Sequence, residues 1–351
     1  MGDYTFASPR IAVEDSYDAI YERFYKEGVT DGLPIVPPTE ERVGRMVAAS
    51  GRRPDEVVAA EVPPRRAPAT VEKIAVNAVM AGCAPEYMPV LIAAAQAMAD
   101  LDLNLYGVTT STSPAALLLV INGPIRRKLD VNCSSGCFGP GWRANATIGR
   151  TVRFIQLNIG GAVPGSVSKS TQGSPGRYTM CVGEFEEQSP WEPLHVERGF
   201  KKEDSTVTVF SAASTISYLD SHSKSAKSSL TMLSHCMDMV GSNNMLFAVG
   251  EVLVVMCPDH ARLLARDGYS KQDVRRALFE LTQWRPLDHW APEYHDQLRK
   301  QPGRVIDGRV ALTQKPEDFV FVIAGGPGGY HSTFVPSWGE SLSVTRKIEE
   351  A

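Results

Sequence analysis

The 351-residue sequence exceeds the usual size of a single hydrophobic core, and 43% hydrophobic with 22% charged residues is the balance of a folded chain, not a disordered or fibrous one. A formal charge of −4 leaves no basic footprint for nucleic acid, and the pairs Arg52-Arg53 and Arg65-Arg66 read as solvated surface beside acids. No leader pattern, no apolar run of about 18 residues and no myristoylation pattern at Gly2 is present, so a cytoplasmic protein that does not enter the membrane is expected.

Tyr17, Ile20, Tyr21 and Phe24 recur at helical spacing between Asp15 and Glu27, with Gly28 as the stop. Asp31-Gly-Leu-Pro-Ile-Val-Pro-Pro-Thr39 is an extended stretch in which Asp31 is a candidate binding residue, and Thr39 caps a helix from Glu40 to Val47. The proline-rich residues 51–69 predict an irregular connection. Thr70 opens a helix that runs towards Gly82. The segment from Met88 to Met98 is apolar nearly all round and belongs in the core.

Ala115 to Asn122 is a continuous apolar run bounded by Ser113-Pro114 and Gly123-Pro124, the pattern of a strand buried on both faces. A short helix over 125–129, a Cys- and Gly-rich bend and a helix from Asn145 to Asn158 follow, closed by Gly160-Gly161. Residues 163–203 predict loops, with strands near 178–182 and 206–210. A helical pattern returns from Ser225 to Met239. After it come a buried strand at Glu251 to Met256, a helix from Asp259 to Arg266 and another, capped by Ser270, to Thr282.

The segments Leu117–Leu129 and Val252–Leu264 resemble each other: each is a buried strand, a Pro turn and a helix. The expected fold is therefore α/β, with two lobes (residues 1–205 and 206–351) built from helix–strand–helix units around mixed or parallel sheets. A degenerate internal duplication whose halves face each other across a cleft is the accompanying hypothesis.

The chemistry is most concentrated in Asn132-Cys-Ser-Ser-Gly-Cys-Phe-Gly-Pro-Gly-Trp-Arg-Ala-Asn145. Gly136, Gly139 and Gly141 would crowd backbone amides before a helix N-terminus, which attracts anions and lowers the pKa of a nearby thiol. Cys133 or Cys137 is then a candidate nucleophile, with Asn145 and Arg143 on the substrate. Packing of both cysteines under a tight turn is the competing reading, and Cys-x3-Cys without a second knuckle is a weak zinc signal. His222, in Asp220-Ser-His-Ser, and His260, after Cys257-Pro-Asp, are candidate proton carriers. Glu187 is a candidate acid–base group, and Trp191 and His195 lie on a rigid loop between prolines that could cap a pocket. His331 follows a glycine loop that lacks the G-x-G-x-x-G nucleotide fingerprint, so its glycines are expected to bring backbone close to a ligand or to the other lobe.

Asp31-Gly-Leu-Pro with Pro37-Pro38-Thr39, Val71-Glu-Lys-Ile-Ala-Val-Asn-Ala-Val-Met-Ala-Gly-Cys83, Phe138-Gly-Pro-Gly with Ala144-Asn-Ala-Thr-Ile-Gly-Arg150, and Ser189-Pro-Trp-Glu-Pro-Leu-His195 together resemble a broad bacterial family, over nearly the whole chain. Its members resemble proteins encoded beside small partners with a (Sec/Cys)-Gly-Ser-Cys motif. That resemblance implies thiol or selenol chemistry on a small molecule and a small Cys- or Sec-containing protein partner. Cys133 and Cys137 depart from the family pattern.

The expected activity is a cysteine-dependent lyase or oxidoreductase acting on a small anionic metabolite at a C–S or similar bond, in a homo-oligomer, with no cofactor specified. A metal-dependent enzyme with Cys and His ligands, or a non-catalytic subunit of a thiol or selenol redox system, are the alternatives.

Overall fold

The computed structural model describes residues 4–247, 250–283 and 285–350. Two helices open it. In α1 (Tyr17–Lys26) the Ser16 hydroxyl accepts from Ala19 N, and in α2 (Glu40–Ala49) that of Thr39 accepts from Arg42 N. Residues 51–69, expected to be irregular, instead hold a hairpin of β1 (Val57–Val62) and β2 (Ala67–Thr70). Its prolines do not prevent pairing: Pro63 and Pro64 occupy the turn, and a two-stranded ribbon has only edge strands, where Pro68 is tolerated.

Thr70 caps α3 (Val71–Ala81) by accepting from Lys73 N, and Gly82 ends it at φ +91°, a conformation that favours glycine. In α4 (Met88–Met98) every residue except Gln96 is buried, which explains its lack of a polar face. The next long helix, α5 (Arg143–Phe154), begins two residues earlier than the sequence pattern and continues through a π-helical turn, Ile155–Ile159.

Two four-stranded mixed sheets form the centre. The first runs β10 (Val344–Lys347), β5 (Thr206–Ala212), β3 (Ala116–Asn122), β4 (Cys181–Gly183). The second runs β6 (Ile216–Leu219), β9 (His331–Val335), β7 (Val252–Met256), β8 (Phe319–Ile323). In each, the central strand (β3 or β7) is parallel to one neighbour (β4 or β8) and antiparallel to the other (β5 or β9), and the last strand is antiparallel again. Strand order and direction are the same in both halves. The registers agree as well: Val120 opposes Thr208 and Leu119 opposes Cys181, while Val255 opposes Thr333 and Val254 opposes Phe321. This is the alignment that superposes Leu117–Leu129 on Val252–Leu264.

The boundary expected between residues 205 and 206 does not separate the halves, because each half lends its last strand to the other. β5 belongs to the first sheet, yet β6, which follows it, joins the second; β9 belongs to the second, yet β10 returns to the first. The two crossing segments pair where they pass, with Ala213 N donating to Pro336 O (2.8 Å) and Trp338 N donating to Ser211 O (3.2 Å).

Because strand side chains alternate between faces, each sheet has two apolar surfaces to cover. Leu118, Val120 and Phe210 of the first sheet meet Leu253, Val255 and Val322 of the second in one inter-sheet core. Leu117, Leu119 and Val209 face outward onto α3, α4 and α5. On the far side Val254, Phe321 and Phe334 face α6 (Ala226–Cys236), α7 (Pro258–Arg266) and α8 (Lys271–Leu281). The result is a helix–sheet–sheet–helix stack, α/β in class. Among the described residues no helix is long and apolar enough to cross a membrane.

Candidate active site

The bend from Cys133 to Gly141 lies where the two halves meet. Gly325 N donates to Cys133 O (2.9 Å), and a Cβ on Gly326 would stand 2.0 Å from the Ser135 hydroxyl, so glycine is what lets this loop close on the bend. Cys137, Phe138, Gly139 and Asn145 line an inter-sheet cavity of about 560 Å³, faced from the other half by Ser217 and Thr333. His331 sits two residues before Thr333 and is bonded through Nδ1 to Ser217 Oγ (3.2 Å), at the margin of this cavity.

The bend is open to a cavity, yet it is not the expected thiolate site. Three of its amides are bonded internally: Ser134 N donates to Asn132 Oδ1, Cys137 N to Ser134 O and Gly139 N to Gly136 O. Gly136 and Gly141 serve the turn with φ of +73° and +123°. Burial pushes the Cys137 thiol up to about 11, and burial also raises that of Cys133 despite Arg126 beside it. The Arg126 charge is shared: its guanidinium is ion-paired with Glu186 and Glu187. Cys133, Arg126 and Glu187 face a second cavity, of about 460 Å³, on the other side of the bend.

Several expected binding groups have structural partners. Asn145 donates to the carbonyls of Asn132, Cys137 and Cys181 and accepts from Asn132 N, which ties the bend to β4. Arg143 donates to Gly82 O. Asp31 accepts two bonds from Arg150, at 2.7 and 2.8 Å, and so fastens the N-terminal segment to α5. Glu187, although partly desolvated, is held down to about 2 by Arg126 and Arg127, too low for a neutral-pH proton carrier. Trp191 is anchored, its indole N–H donating to Tyr269 O and its ring packing on the second helical layer, while Pro190 beside it lines the cavity next to His260. His195 is fully buried, with Nε2 3.5 Å from Lys202 O and Nδ1 without a partner. His222 is exposed and bonded to its neighbour Ser221.

The thiol whose surroundings most favour ionisation is Cys257, although it is buried (1% exposed) and does not itself line the cavity beside His260. It follows β7 directly and is the N-cap of α7, at the carboxyl end of a central strand where α/β folds place their ligands. Burial opposes its ionisation, but the nearby His260 ring and backbone N–H, with the Ser332 hydroxyl, favour the thiolate and bring its thiol below the ordinary value of 9.0. The other five cysteines shift upward or have no such partner set: Cys83, Cys133, Cys137, Cys181 and Cys236 are all raised, chiefly by burial.

His260 is oriented as a base needs to be. Nε2 donates to Asp220 O (2.9 Å), and Nδ1 stands 2.7 Å from Ser332 Oγ, which also accepts from Cys257 N (3.0 Å). Burial alone would make this imidazole less basic; Cys257 and Asp220 outweigh it and raise its pKa. The Asp220 carboxylate is fixed in turn by the Tyr218 hydroxyl and the amides of His222 and Ser223.

His260 lines a cavity of about 590 Å³ with Lys224, Arg262 and Arg266 on its wall and Tyr330 over it. Tyr330 holds the left-handed φ of +53°, a strained backbone for a bulky residue beside a candidate site. In the sequence Cys257 stands out only as one of a scatter of thiols and imidazoles, with His260 as the candidate proton carrier. The available signal was a cysteine at the junction of a buried strand and a helix, followed by histidine three residues on.

The expected site residues thus distribute over four cavities instead of one: Cys137, Gly139 and Asn145 in the first, Cys133 and Glu187 in the second, His260 in the third and Asp31 in a fourth. Among the described residues no three His, Cys, Asp or Glu side chains are grouped to hold a metal ion. A scan against protein-family models and a search of curated proteins returned no match to this chain.

Proposed function

We infer that this chain is a thiol-dependent enzyme for a small anionic metabolite, with Cys257 as the reactive sulfur and His260 as the proton carrier. The observation that carries this reading is the Cys257–His260–Asp220 arrangement at the carboxyl end of β7: a thiol, a base beside it, and a carbonyl that fixes the base. Lys224, Arg262 and Arg266 on the adjoining cavity wall favour a negatively charged ligand.

In this reading the thiol proton passes to His260. The thiolate then attacks an electrophilic carbon or sulfur of the bound metabolite, the bond to its leaving group breaks, and the imidazolium returns the proton to that group. Attack on the sulfur of a metabolite disulfide is the oxidoreductase form of this step: it leaves a mixed disulfide on Cys257 and a released thiol, and an external thiol, the reductant, then displaces Cys257 from the mixed disulfide and restores its thiol.

The test is residue-resolved alkylation of the native protein by iodoacetamide and iodoacetate, followed by mass spectrometry. Cys257 is expected to react fastest at pH 7 and to slow on His260→Gln. Modification of Cys133 or Cys137 ahead of an untouched Cys257 overturns the assignment.

A further inference from the structure

We propose a second ligand site in this protein: an oxyanion-binding pocket built on Arg153 and Arg177, specific for a phosphate or carboxylate group of a small molecule. It is independent of the thiol reading, and its cavity, about 500 Å³, shares no lining residue with the one beside His260.

The argument begins with charge. From Val131 to Gly183 the sequence contains no Asp or Glu, while it contains Arg143, Arg150, Arg153, Lys169 and Arg177. Arg150 is neutralised from outside the segment by Asp31, which uses both carboxylate oxygens on it. Arg153 and Arg177 are not neutralised in this way: among the described residues neither is in an ion pair, although both line the same cavity together with Asp31, whose two carboxylate oxygens are both taken by Arg150.

Burial makes that arrangement unfavourable without a ligand. Desolvation, followed by the like charge of Arg177, brings Arg153 down to about 10, against a weak opposing pull from Asp31. Desolvation lowers Arg177 as well. Two partly buried guanidiniums close enough to repel, without a carboxylate of their own, form a charge excess that an external anion would relieve.

The geometry suits a bound oxyanion. Arg177 is fixed in place by donating to Ala115 O, Ser168 Oγ and Ser113 O, so its charge is oriented without being cancelled. Arg153 makes one long bond, to Ala162 O at 3.4 Å, which leaves most of its fork of N–H donors for a ligand. The loop opposite adds Ser170, Gln172 and Ser174, and Gly165 and Gly173 at φ of +74° and +72° bend it around the cavity. Phosphate and carboxylate can each offer a pair of acceptor oxygens to such a fork, and the assay distinguishes them.

Isothermal titration of the full-length protein with sodium phosphate and, separately, with sodium succinate, at ionic strength held constant with chloride, tests the site. Saturable binding of at least one anion is expected, weakened about tenfold or more by Arg153→Gln and retained in part by Arg153→Lys. Arg177→Gln should weaken it too, but this variant also loses backbone contacts, so Arg153→Gln decides the matter. Binding of phosphate alone marks a phosphate site, and binding of succinate alone a carboxylate site. No saturable binding of either anion, or unchanged binding in Arg153→Gln, overturns the proposal.

Discussion

Asn122 and Cys257 occupy equivalent positions, each the residue at the carboxyl end of the central strand of its sheet, yet their surroundings differ in chemistry. Asn122 Nδ2 donates to the fully buried Glu184 (2.6 Å), whereas Cys257 is paired with His260. The shared scaffold therefore offers two strand ends, of which one is locked by a carboxamide–carboxylate contact and the other holds a polarised thiol.

The first prediction concerns that thiol. The pH profile for alkylation of Cys257 should have its midpoint below 9.0, because His260 and Ser332 favour the thiolate. In His260→Gln the imidazole's share of this support is lost, and the midpoint should move upward. A midpoint that stays in place would show that the imidazole does not tune the sulfur.

Cys137 should behave in the opposite way. With its thiol near 11, its alkylation at pH 7 should be slow and should accelerate about tenfold per pH unit up to that value. Cys137→Ser should leave the rate at Cys257 unchanged, as measured on the isolated peptides.

Asp220 provides a stability test with a definite sign. Although burial raises it, hydrogen bonds from Ser223, Tyr218 and Ser229 bring its carboxyl from 3.8 down to about 2. A carboxylate whose pKa falls on folding contributes stability that is fully present above 3.8 and is lost as the pH drops through about 2. Asp220→Asn should destabilise the protein at pH 7 by about 1–3 kcal/mol and flatten the acid limb between these values, measured by urea unfolding.

Gly123 tests the turn after β3. It holds φ +83°, and a Cβ there would lie 2.1 Å from Asp204 O, a backbone atom that cannot swing aside. Gly123→Ala should therefore destabilise by about 1–3 kcal/mol. Its N–H also donates to Glu186 (2.6 Å), so the Arg126 ion pairs and the cavity at Cys133 should be disturbed together, visible as faster labelling of Cys133.

Much of the local structure was legible because its causes are local. Thr70 and Gly82 bracket α3, Ser270 caps α8, and the apolar runs that became β3 and β7 need only their own composition to announce burial on both faces. The weak likeness of Leu117–Leu129 to Val252–Leu264 pointed to the equivalence of β3 and β7 in the two sheets. The hairpin β1–β2 was missed because prolines dominate the segment and Val57–Val62 has no alternating pattern, and β6, β9 and β10 are short strands with mixed burial whose partners lie far along the chain.

What the sequence determined by itself, then, was the α/β class, the principal helices and the two buried strands, since propensity, capping and periodicity act over a few residues. Tertiary structure decided the exchange of strands between the halves and the ranking of the thiols. A sulfur's ionisation depends on the water removed from it and on the charges brought to it from elsewhere in the chain, and Cys257 acquires Ser332 only when β9 folds back against β7.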